Sequence, residues 1–173
     1  MSLTDAERAR LLLECWWSHD GQWFLKARAA HGLEEAMALN EGAIESIGRI
    51  EMRRLHAALG SPPVTDAADL LPLVVEAHAF VGIPGQGEMD GEGSFLLRVE
   101  TCRVWDMTLS AGLEAIAPGC RGSLRRRQGW ATVFFPAERV RWTREYGRPD
   151  GDPRCAYRFR LLPEPEPEPL SAE

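Results

Sequence analysis

Residues 33–59 read LEEAMALNEGAIESIGRIEMRRLHAAL, and the periodicity of this stretch decides the fold. At about 100° per residue, Leu33, Met37, Ile44, Ile47 and Leu55 fall on one face of a long helix. Asn40 and Glu51 fall inside the same arc. Two polar side chains therefore point where a core is expected. Burying either without a partner costs about 2 kcal/mol or more, so each requires a neighbouring helix, an indole, a water or a ligand. Eleven residues separate them, roughly 16 Å along a helix axis, so they cannot act together on one atom. Gly48 lies beside Ile44 and Ile47, where a missing side chain permits close helix contact.

Upstream, Thr4-Asp5-Ala6-Glu7 is a capping box that opens a first helix, expected to stop near Ser18. Asp20 is suited to cap a second helix running to Gly32. Downstream, Gly60-Ser61-Pro62-Pro63 ends the long helix, and a fourth extends from Asp66 to about Phe80. The period then changes. Residues 84–90 and 94–101 read as a hairpin turning at Asp90-Gly91. A short helix follows at 103–111, and a basic one after Gly122. Strands are expected at 138–145 and 155–162, where arginines alternate with Val140, Trp142, Tyr157 and Phe159, giving one core face and one wet face. The expected fold class is α+β: an N-terminal helical layer of about four helices packed on a small antiparallel sheet with interspersed helices. Residues 1–162 make a single domain, helical over residues 1–81 and mixed, with the sheet, over residues 82–162. Residues 163–173, rich in Pro and Glu, form a disordered tail.

The 173 residues are 45% hydrophobic, which suits one core rather than two. No apolar run is long enough to span a membrane, and residues 1–7 lack the order of a signal peptide, so a cytoplasmic protein is expected. Four widely spaced cysteines fit reduced thiols better than a disulfide framework. The net charge of −6 hides an asymmetry: residues 1–120 carry 9 basic and 18 acidic side chains, residues 121–162 carry 11 and 4. An acidic helical layer against a basic sheet layer explains this without nucleic acid, because the arginines of 121–127 lack interleaved aromatics and any recognised motif. They read as a solvated helix face.

Three groups of residues could carry chemistry. Trp23, Asn40 and Glu51 could line a ligand pocket between the helices and the sheet. His78 with Cys102, Cys120 and Cys155 offers a Cys3His set for zinc, although spacings of 18 and 35 residues between the cysteines give no local chelating pair. Cys102 or Cys120 could instead serve as a nucleophile, or all three thiols could be buried as small apolar side chains.

The segments His19–Phe24, Gly32–Ala36 and Gly48–Glu51, with Cys102, Cys120 and 151–159, together resemble an uncharacterised family related to L-2-amino-thiazoline-4-carboxylic acid hydrolase. The segment 151–159 also resembles the end of the 4-vinyl-reductase-type small-molecule-binding domain. The Cys-x-x-Cys pair of metal-bearing relatives of that domain is missing. The first resemblance implies a C–N bond hydrolase acting on a small cyclic amide or amidine, with Cys102 or Cys120 as nucleophile or metal ligand. The second implies a non-enzymatic binder of a small molecule. A third reading makes the helical layer the interface of a homodimer.

Overall fold

The computed structural model describes residues 2–110, 112 and 120–164, with Cys120 by its backbone alone. The expected Pro/Glu tail falls, from residue 165 onward, outside the described residues.

The first helix, α1, runs unbroken from Asp5 to His31. The capping box forms: Thr4 Oγ1 accepts the Glu7 backbone N–H at 3.2 Å, and Glu7 accepts the Thr4 N–H at 2.7 Å. The expected break at 18–20 is absent, so the N-terminal layer holds three helices rather than four. Gly21 does not turn the chain. A Cβ there would lie 2.6 Å from Met107 Cε, so the glycine makes room for a distant side chain. The chain turns at Gly32, whose φ of +84° suits glycine. Helix α2 spans Leu33–Ala58 and α3 spans Ala67–Phe80, capped by Asp66 through the Asp69 N–H at 2.9 Å.

Strands β1 (Gly85–Gly91) and β2 (Ser94–Val99) form a hairpin that turns at Glu92-Gly93, two residues later than expected. A register shift between Met89 and Gly91 absorbs the difference, and Asp90 pairs with Arg158 instead of making a turn. Helices α4 (Arg103–Ser110) and α5 (Cys120–Ala131) precede β3 (Val140–Tyr146) and β4 (Cys155–Leu161). The sheet is antiparallel throughout, in the order β1-β2-β4-β3. The fold is therefore α+β, with the N-terminal helices on one face of this sheet.

Alternation fixes which face is covered. Phe95 and Leu97 of β2 stand opposite Phe159 and Tyr157 of β4 and are buried, while Arg158 and Arg160 point the other way. Phe95 and Phe159 stack at 4.8 Å, and Trp142 tilts against Phe159 at 5.1 Å. Leu70, Leu73, Val74 and Ala77 of α3 lie in the same core. Burial of each large apolar side chain there contributes about 1.5–3 kcal/mol.

Helices α2 and α5 meet backbone to backbone. A Cβ at Gly48 would lie 2.6 Å from the Arg126 carbonyl oxygen, and one at Gly129 would collide with the Glu45 carbonyl. Such an approach is open only to glycine. Charge complements it: Arg121 pairs with Glu41 at 2.7 Å, and Arg125 with Glu45 at 3.7 Å. The basic run 121–127 is a solvated face only in part: Arg121 and Arg125 stay about half exposed while pairing with acids of α2, whereas Arg126 and Arg127 are buried. Among the described residues no helix is long and apolar enough to cross a membrane.

Candidate ligand-binding cavity

Between α1, α2, α4, α5 and the inner face of the sheet lies a cavity of about 740 Å³, within the range of small-molecule sites. Its walls follow from the elements that frame it. Trp17 projects from the middle of α1, its indole N–H donating to the Val81 carbonyl at 3.0 Å, which ties α1 to the end of α3. Met37, Asn40 and Ile44, at helical spacing on α2, line the cavity beside Gly122 of α5. Val104 and Met107 of α4 supply further apolar wall. Polar groups enter the wall from several elements, among them Asp20 of α1, Asn40 of α2 and Arg103 and Asp106 of α4, and one polar corner is built by His78, Arg126, Arg127 and Tyr157 of α3, α5 and β4.

That polar corner is tightly organised. Arg126 donates through Nε and Nη2 to Glu51 at 3.1 and 2.9 Å, and the Trp130 indole N–H donates to the same carboxylate at 3.0 Å. The outer face of the guanidinium lies 4.9 Å from the Trp16 ring and 5.3 Å from Trp17. Arg127 stacks on Tyr157 at 3.6 Å and donates to the Ser123 carbonyl and hydroxyl. His78 Nδ1 is 2.9 Å from the Ile83 carbonyl, and its ring meets Trp130 edge-on at 5.0 Å. Desolvation, reinforced by Arg127 and Arg126, holds His78 well below the usual imidazole range. Desolvation also raises the carboxyl of Asp20, a wall residue, against the opposing pull of Arg126 and His19.

The residues singled out from the sequence fall in different places. Asn40 lines the cavity. Glu51 lies outside its wall, and Arg126 and Trp130 occupy its carboxylate. Trp23 stands 39% exposed, outside the wall but between two of its residues, Gln22 and Phe24. His78 and Cys102 belong to the wall, whereas Cys155 does not; it is buried, its sulfur accepting the Arg148 N–H at 3.4 Å. The side chain of Cys120 lies outside the described residues. Among the described residues no three potential ligands come together to hold a metal. Burial pushes the Cys102 thiol up, and neighbouring Cys155 adds to this, against a backbone N–H from Trp105. Arg126 and Arg127, read from the sequence as part of a solvated helix face, are the wall residues that reading misplaced. The only signal for Arg126 is charge complementarity with an acid 75 residues away.

A family model described as "Family of unknown function (DUF6125)" matches residues 8–122. Comparison with curated proteins gives no match. Among solved structures the chain is similar to a trafficking protein particle complex subunit 3 from Naegleria fowleri, crystallised covalently bound to palmitic acid. The TM-score is 0.56 at 16% identity, over 91% of this chain and 98% of that one. This likeness is one of fold.

Proposed function

The chain belongs to this family of unknown function, DUF6125, and from that premise we propose that it is a non-enzymatic binder of a small, mostly apolar molecule. The observation that carries the reading is the cavity itself: apolar wall from Trp17, Met37, Ile44, Val104 and Met107, with polar side chains set into it and one organised polar cluster at His78, Arg126, Arg127 and Tyr157. An amphipathic ligand matches that division. The palmitic acid bound to the Naegleria subunit is a molecule of that class. Asn40 is proposed as a direct contact and Trp23 as a residue of the mouth. Glu51 is proposed to act at one remove, by fixing Arg126 in the wall. The hydrolase reading gains nothing from Cys102, whose thiol burial favours in the protonated form. Exposed Leu11, Leu12 and Trp23 on α1 favour self-association through that helix, a reading that size-exclusion chromatography with light scattering would test.

The test of the binding reading is native mass spectrometry of the purified chain, alone and offered saturated amphiphiles of increasing length. A retained or acquired non-covalent mass is expected. Met37→Trp, which places an indole in the cavity, should remove it while leaving the circular dichroism spectrum unchanged. Binding that survives Met37→Trp undiminished would move the site elsewhere.

A further inference from the structure

His78 is 2% exposed and lines the cavity. Its Nδ1 lies 2.9 Å from the Ile83 carbonyl, and a carbonyl can only accept, so Nδ1 carries the proton. Burial and the nearby guanidinium groups keep the ring neutral. Nε2 is then a lone-pair acceptor. Among the described residues nothing donates to it. The Trp130 ring meets His78 edge-on, but its N–H goes to Glu51, as do two donors of Arg126. A buried acceptor left without a donor is costly, and the cavity it borders is the place from which a donor can come.

We propose that the polar end of the ligand donates an O–H or N–H to Nε2 of His78, so that the cavity selects a neutral amphiphile, an alcohol or amide, over a carboxylate with the same tail. This rests on the binding reading above and names its ligand class. A carboxylate would set its own lone pairs against that of Nε2. Of the two guanidinium groups in the corner, Arg126 is already matched in bidentate fashion by Glu51, and Arg127 stacks on Tyr157 and donates to Ser123.

The experiment measures affinities of the full chain for dodecanol, dodecanamide and dodecanoate by calorimetry at neutral pH, within the aqueous solubility of the alcohol and the amide and below the micelle concentration of dodecanoate. The alcohol and the amide should bind about tenfold more tightly than the acid, the equivalent of one well-placed hydrogen bond. In His78→Phe this preference should vanish, the alcohol weakening to the level of the acid. His78→Gln, whose carbonyl still accepts, should keep some of it. Equal affinities in the unmodified chain, or a preference that survives His78→Phe, would overturn the inference and leave the cavity reading intact. Failure of all three probes to bind would overturn both. Should His78→Phe not fold, the comparison in the unmodified chain and in His78→Gln decides alone.

Discussion

Replacing Glu51 by leucine tests how the polar corner is held together. Glu51 is 7% exposed and the Arg126 side chain 10%, and two hydrogen bonds join them. Removing one partner of such a pair leaves an uncompensated buried charge, at about 3–5 kcal/mol. The Trp130 N–H loses its acceptor as well, which adds about 1 kcal/mol. Contacts of Arg126 with the Trp16 and Trp17 rings persist in the variant and so cancel from the difference. The expected loss is about 4–6 kcal/mol, or roughly 8–24 °C in Tm for a domain of this size. The double variant Glu51→Leu/Arg126→Met removes both charges and should recover most of that loss, because a desolvated pair is replaced by apolar packing. Urea denaturation of the two single variants and the double variant closes the cycle. A Glu51→Leu chain within about 1 kcal/mol of the unmodified protein would refute the reasoning, since Arg126 would then have found water that the structure denies it.

Gly48→Ala and Gly129→Ala should each destabilise by about 1–3 kcal/mol despite the better helix propensity of alanine, as read from denaturation midpoints, because each Cβ meets backbone rather than a movable side chain. Alkylation of the native protein at neutral pH, followed by peptide mass mapping, should label exposed Cys15 first and buried Cys102 and Cys155 only after unfolding. His78 sets a pH dependence. Its folded value lies below its unfolded value of about 6.5, so the unfolded chain takes up a proton that the folded one refuses. Stability should therefore be highest above that pH and fall by up to about 1.4 kcal/mol per unit as the pH drops below it. His78→Phe should flatten this slope, whereas Asp20, raised in the folded state, works in the opposite sense. A urea series between neutral and mildly acid pH measures it.

What the sequence disclosed was what has a period or a local cap. The 3.6-residue pattern of 33–59 identified a helix with two polar residues on its inner face, and the two-residue pattern of 155–161 identified the covered face of β4. Local capping chemistry misled at Asp20. In α1 that carboxyl faces the cavity instead, and the helix runs on through Trp17 and Gly21, whose contacts with Val81 and Met107 are long-range and have no trace in nearby residues. The hairpin turn slipped because Asp90 had a partner, Arg158, on a strand that does not adjoin β1. The need of Glu51 for a partner was legible, but its identity was not. A run of arginines reads as solvated until the acids facing it are known, and those lie on another helix.

The glycine-lined closure of α5 on α2 also sets a clock. Arg126 follows Glu51 by 75 residues, which at cellular rates of synthesis is roughly 4–15 s. During that interval α1, α2 and α3 have been made, yet the corner they contribute is open to water and its carboxylate is unanswered. The cavity comes into existence only when Gly129 reaches the Glu45 carbonyl and Trp130 settles between Glu51 and His78. Loading of any ligand is therefore an event of the finished chain rather than of its growing end, and a nascent chain stalled before residue 126 has no chamber to fill.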